Sequence, residues 1–116
     1  MTPLTDIIAA LDLKVLSAAD HVVGRQVEGG YTSDLLSCVM AGAGKDNIWV
    51  TIQAHANIIA VAALLDVAAI VITEGARPGE DTIAKANEEG VILLGTALPS
   101  YTVIGKLWEL GIKNCI

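Results

Sequence analysis

Residues 48–73 read IWVTIQAHANIIAVAALLDVAAIVIT. Ile48 to Ile52 form a short run of mostly β-branched and aromatic residues, the composition of a strand. The polar stretch QAHAN interrupts it. Asn57 to Leu65 is longer and rich in Ala and Leu, which suits a helix, Asp66 makes a turn, and Ala68 to Thr73 returns to Val and Ile as a second strand. Strand, helix and strand joined this tightly imply a right-handed crossover between parallel strands. A membrane span is the competing reading, because the mean hydropathy is +0.60. The apolar stretch Ile58 to Ile72 falls short of the roughly 20 residues a helix needs to cross a bilayer, and it contains Asp66.

The same alternation extends outward. Downstream come a helix from Glu80 to Glu89 closed by Gly90, a strand from Val91 to Leu94, and a helix from Ser100 to Leu110 entered at Pro99 and closed by Gly111. Glu80 and Asp81 place negative charge in a first helical turn, where the dipole favours it. Upstream, a helix from Ser33 to Ala41 leads into the loop AGAGKDN. At the start, TPLTDIIAAL reads as a helix and Lys14 to Leu16 as a short strand. Between Ser17 and Gly30 the segments His21 to Gly24 and Gln26 to Glu28 fit strand or turn equally. The expected architecture is one α/β domain over residues 1–116, a mainly parallel sheet covered by helices.

Composition narrows the function classes. The chain is 53% apolar but only 3% aromatic, so its core is built of Ala, Val, Ile and Leu, as in a sheet covered on both faces. A net charge of −6 without a basic cluster argues against nucleic acid as a partner. Met1 to Lys14 carries Asp6 and Asp12 and lacks the basic start and cleavage site of a signal peptide, so a cytoplasmic, non-membrane protein is expected. Cys38 and Cys115 fit no metal-ligand spacing and are expected to be reduced thiols, with no metal and no cofactor.

Ligands of parallel sheets bind beyond the carboxyl ends of the strands. Three polar segments are expected there. In the first, Gly29 and Gly30 run into Thr32 and Ser33 at a helix start, offering either backbone donors for an anion or a simple turn and cap; Asp34 in the same turn would repel a phosphate. In the second, His55 stands between Gln53 and Asn57, able to bind a ligand or only to hydrogen-bond locally, with Asn57 also a good helix cap. In the third, Thr73, Glu74 and Gly75 precede Arg77, which can clamp a phosphate or carboxylate or pair with Glu74 or Glu80.

Catalytic templates fail. A phosphate-binding P-loop needs a glycine five residues before its glycine-lysine pair and a hydroxyl after it, where Gly44-Lys45 has Val39 and Asp46. The dinucleotide fingerprint begun by Gly42 and Gly44 has Asn47 in place of its third glycine. No GxSxG elbow, HExxH motif or carboxylate pair is present.

The run GGYTSDLLS (29–37), followed by WVTIQAHANIIAVAALLDVAAIVITEGARP (49–78) and then helix, strand and helix, resembles the DRTGG domain family over nearly the whole chain. In that family a GDR-like turn and a TGG-like turn face one another after successive strands. Here Gln53-Ala54-His55 and Thr73-Glu74-Gly75 match those positions, retaining Thr73 and Gly75 of the signature. The resemblance implies a non-catalytic, dimeric domain, since family members occur beside nucleotide-binding CBS modules in pyrophosphatases, before phosphotransacetylase regions, and as short stand-alone proteins.

Three functions follow as expectations. The first is a self-associating regulatory module, a homodimer that takes a nucleotide-like or small anionic ligand at Gly29, Gly30, Thr32, Ser33, Gln53, His55, Asn57, Thr73, Glu74, Gly75 and Arg77. The second is an adaptor acting through the apolar helix Asn57 to Leu65 or the stripe Tyr101, Ile104 and Trp108. The third, an enzyme using His55 as acid or base beside Glu74, requires those two side chains to meet over a substrate.

Overall fold

The apolar runs become strands because their side chains alternate between two helical layers. The computed structural model describes residues 1–114. Along the chain these form β1 (Thr2–Pro3), α1 (Leu4–Leu11), β2 (Lys14–Val15), a 3-10 turn (Ala19–His21), β3 (Gln26–Val27), β4 (Gly29–Thr32), α2 (Leu36–Gly42), β5 (Asn47–Thr51), α3 (Asn57–Leu65), β6 (Ala69–Ile72), α4 (Glu80–Glu89), β7 (Leu93–Gly95) and α5 (Ser100–Glu109). The main sheet has five strands in the order β2-β7-β6-β5-β4. Neighbours from β4 to β7 are parallel, and β2 is antiparallel to β7. β1 and β3 pair separately as an antiparallel ribbon. The mainly parallel, helix-covered sheet expected from the sequence is the architecture found. Cys38 lies exposed on α2 as a free thiol, and Cys115 falls outside the described residues.

Period-two alternation assigns the core to two layers. Ile48, Val50, Ala69, Val71 and Leu94 pack with Leu4, Ile7 and Leu11 of α1 and Val103 and Leu107 of α5. Trp49, Ile70, Ile72 and Leu93 point the other way, onto Val39 of α2, Ile58, Ile59 and Ala62 of α3, and Ala86 of α4. Thus α2, α3 and α4 share one face while α1 and α5 cover the opposite one. Three successive crossovers on one face step the chain across the sheet in a single direction, from β4 to β7. The connection after β7 then passes to the other face.

One side of the nearly all-apolar α3 is covered within its own chain, while Ala60, Ala63 and Leu64 stay exposed. Ile58, Ile59, Val61 and Ala62 are buried, and α2 and α4 flank it. Asp66 ends it in the left-handed conformation at φ 55°, its N–H donating to the carbonyls of Ala62 and Ala63. Among the described residues no helix is long and apolar enough to cross a membrane.

Two local expectations are corrected. Gly29 and Gly30 are not a turn but the first half of β4, pairing with Asn47 and Ile48 at the amino end of the sheet. A Cβ on Gly29 would stand 3.1 Å from both the Lys113 carbonyl and the Asn47 amide, so glycine there lets the segment after α5 lie against the strand. That segment is tied down by Asn114, whose Nδ2 donates to the Gly30 carbonyl at 2.9 Å. Second, the helix expected from Ser33 begins at Leu36, because the polar side chains before it hold the backbone in other bonds. Ser33 Oγ accepts the Leu35 N–H at 3.2 Å, and Asp34 reaches across to β5.

The undecided region 17–30 is organised by long-range polar contacts. Ser17 Oγ donates to the Val91 carbonyl at 2.8 Å and accepts the Leu93 N–H at 2.9 Å, prolonging the β2–β7 ladder with a buried hydroxyl. Arg25 then straps the β1–β3 ribbon to the sheet's amino edge. Its Nη2 donates to Asp46 Oδ1 and to the Asp66 carbonyl, both at 3.0 Å, and its Nη1 lies 3.5 Å from the Asp66 carboxylate. Arg25→Ala leaves the part-buried Asp46 carboxylate without this partner. With allowance for solvent screening, the variant is expected to lose about 1–2 kcal/mol, read as a lower urea midpoint at unchanged m-value.

Candidate functional site

Polar residues at the carboxyl ends of β4 and β5 bond chiefly to one another. Thr32 Oγ1 donates to the Val50 carbonyl at 2.8 Å, and Trp49 Nε1 donates to the Ser33 carbonyl at 3.0 Å. Asp34 Oδ1 accepts both the Thr51 hydroxyl at 2.8 Å and the Ile52 N–H at 2.9 Å, fastening the turn after β4 to the end of β5. Gln53 completes the join, its Nε2 donating to the Asp34 carbonyl at 3.1 Å and its N–H to Thr51 Oγ1 at 3.1 Å. His55 accepts the Asn57 N–H on Nδ1 at 3.2 Å, so the histidine closes the start of α3. Asn57 is the first helical residue and not the cap; the N-cap is Ala56, without a side-chain bond.

A second set of bonds joins β6 to β7. Thr73, fully buried, places its hydroxyl against the Thr51 carbonyl at 3.4 Å and against Ser100 Oγ. Glu74 and Gly75 are successive left-handed residues at φ 61° and 72°, which turns the chain sharply after the strand. That turn aims the Glu74 carboxylate at the start of α5, where Oε2 accepts the Ser100 N–H at 2.9 Å. A carboxylate suits this helix end by both hydrogen bonding and dipole. The backbone adds Glu74 N–H to Leu98 O at 2.9 Å and Gly75 N–H to Thr96 O at 3.0 Å. His55 and Glu74 are therefore held on different partners, and no ion pair joins them within 4.0 Å among the described residues. The close His55–Glu74 contact that would favour acid-base chemistry by this pair is not present among the described residues.

Beyond this lacing the two turns diverge, since α4 lies on one face of the sheet and α5 on the other. The opening between them is a cleft of about 650 Å³. Gly75 and Arg77 line it from the β6–α4 turn, Thr96 and Leu98 from the β7–α5 turn, and Asp12 and Lys14 from the corner between α1 and β2. Antiparallel pairing brings that corner here, because Lys14 lies opposite Gly95 at the carboxyl end of β7. Arg77 forms no ion pair with Glu74 or Glu80 among the described residues. A smaller, mostly apolar cleft of about 290 Å³ opens on the other side of the molecule, between β4 and α5, with Gly30 and Thr32 beside Ile104 and Trp108.

The structure thus divides the residues expected at one site. Gly75 and Arg77 meet in the larger cleft; Gly30 and Thr32 line the smaller one, with Gly29 buried in the same strand. Ser33, Gln53, Thr73 and Glu74 are engaged in the bonds above, while His55 and Asn57 stand exposed at the head of α3. Sequence reasoning missed Lys14, Asp12 and Thr96. Their one signal was the shortness of the Lys14 strand, which suits a sheet edge.

No protein-family model matches the chain, and no curated protein does. Among solved structures, it is similar to the CBS and DRTGG domains of the regulatory region of Clostridium perfringens pyrophosphatase, a structure determined in complex with the activator diadenosine tetraphosphate. The TM-score is 0.72 at 17% identity, covering 91% of this chain and 46% of that one. The chain therefore spans less than half the length of that polypeptide. The likeness is one of fold, and it supports a DRTGG-like α/β architecture.

If Thr73 serves mainly as a structural tie, Thr73→Val, which keeps the shape and removes the hydroxyl, leaves Ser100 Oγ without its buried partner. The expected cost is about 1–3 kcal/mol in chemical denaturation. A variant as stable as the parent would refute the tie.

Proposed function

We propose that this chain is a regulatory ligand-binding module, non-catalytic, working through occupancy of the cleft between the β6–α4 and β7–α5 turns. One observation carries the reading: the cleft lies where neighbouring parallel strands send their helices to opposite faces. Loops part at such a point and leave a crevice at the strands' carboxyl ends, where α/β folds place ligands. The similar fold in a pyrophosphatase regulatory region, solved with a nucleotide activator, agrees with this reading. The site is narrower than the three-segment edge expected from sequence, centring on Gly75 and Arg77 with Lys14 added. A thermal-shift screen with nucleotides and small organic anions tests it. A ligand at a hundredfold excess over its Kd is expected to stabilise the fold by about 2.7 kcal/mol. Absence of any shift at millimolar ligand would overturn the proposal.

A second reading, association through a protein surface, rests on α5. Tyr101 is 90% exposed and Trp108 is 54% exposed, with Ile104 between them on the same side of the helix. Such a stripe suits a two-fold contact between copies. Under this reading light scattering finds a dimer at micromolar concentration that Tyr101→Ser with Trp108→Ser converts to monomer. A monomeric parent would remove it.

A further inference from the structure

The seven Lys and Arg residues of this net −6 chain are unevenly employed. Arg25 bridges Asp46 and Asp66, Lys85 lies 3.8 Å from Glu89, and the Lys113 amino group stands 5.2 Å from the centre of the Trp108 ring. Lys14 and Arg77 have no ion-pair partner among the described residues, yet these two, far apart in sequence, line one cleft. Asp12 is the sole carboxylate on its lining among the described residues, so two cations face one acid. Much of the remaining wall is apolar, with Leu11, Leu16, Ala76, Ile83 and Leu98.

From this lining we infer that the cleft takes an organic anion with an apolar body and a single phosphate or carboxylate head. The inference rests on the proposal that the cleft is the ligand site. Arg77 supplies a planar fork that matches either head group, and Lys14 adds a point charge. Thr96 already accepts the Leu98 N–H at 3.1 Å, which leaves its hydroxyl hydrogen to donate to the head. The apolar wall removes the body from water. Asp12 and the chain's negative charge oppose an extended polyphosphate, whose added charges meet no further cations on the wall.

Amide-detected NMR titration of the whole chain separates these claims, with phenyl phosphate, phenylacetate, benzyl alcohol and tripolyphosphate as probes. Phenyl phosphate or phenylacetate is expected to shift the Gly75–Arg77 and Gly95–Leu98 amides saturably at millimolar concentration, and the tighter of the two identifies the head. Lys14→Gln and Arg77→Gln are each expected to weaken that binding by about tenfold, while Lys45→Gln, outside the cleft, leaves it unchanged. Both altered side chains are exposed, so spectra away from the cleft serve as the check on folding. Equal binding of benzyl alcohol, unaffected by the two variants, would refute the anion inference and leave the cleft as a ligand site. Tripolyphosphate binding tighter than phenyl phosphate would overturn the single head. No saturable shift at the cleft with any probe would sink the inference and the underlying site together.

Discussion

Strand β6 has no face that touches water. Ala69, Ile70, Val71 and Ile72 are all fully buried, two side chains in each helical layer, and the strands on either side supply its backbone partners. A strand so enclosed cannot carry a charged group along its length, because an unpaired charge moved out of water costs far more than one hydrogen bond returns. Its first polar side chain is Thr73, immediately after the last paired residue. β5 repeats the pattern with Thr51. Burial of the central strands on both faces therefore drives polar chemistry to the sheet's ends, and much of the remaining architecture follows from how those ends are satisfied.

Satisfaction at the carboxyl end is largely internal. Asp34, Thr51, Gln53, Thr73, Glu74 and Ser100 link successive turns from β4 to β7. Each bond is modest once exchange with water is counted, about 1 kcal/mol, yet leaving a buried member such as Thr73 unmet would cost more. This explains why a stretch that looks chemically equipped in sequence, with hydroxyls, amides, a histidine and carboxylates, is mainly a seam. A polar group committed to a partner offers a ligand only its remaining donor or acceptor capacity. Arg77 and Lys14 form no ion pair among the described residues, which is the physical basis for proposing the site there.

Sequence periodicity revealed the parallel part of the fold because each βαβ unit is local. Ile48 to Thr73 carries its own strand, helix, turn and strand, and Asp66 fills the turn foreseen for it. Gly90 likewise ends α4 at φ 70°. What escaped prediction depends on partners distant in the chain. Ser17 bonds to Val91 and Leu93, and Arg25 to Asp46 and Asp66, so no window around residues 17–30 contains the reason for its shape. Gly29 and Gly30 resembled a turn for the same reason: the segment that approaches them comes from beyond α5. The cleft was half legible. Arg77 and Gly75 stood out in a polar turn, whereas Lys14 joined them only through the antiparallel placement of β2, a two-residue strand whose direction no local pattern encodes.

The position of the cleft also bears on how occupancy could be communicated. Its walls come from three connections: one leads to α4 on the first face, one to α5 on the second, and one joins α1 to the edge strand β2. A ligand bridging Lys14 and Arg77 would tie the sheet edge to the β6–α4 turn, across the intervening strand β7. The β2 ladder is two residues long, prolonged by Leu16 and the Ser17 hydroxyl against Leu93 and Val91, so opening of this edge is a local equilibrium. Binding that favours the closed edge shifts that local equilibrium by the ligand's differential affinity for the two states and no more. Coupling of this kind acts first on α1 and β2, whose chain continues into the Arg25 strap at the opposite end of the sheet. A ligand effect carried this way would pass through a short edge strand, against the buried centre of the sheet as its frame.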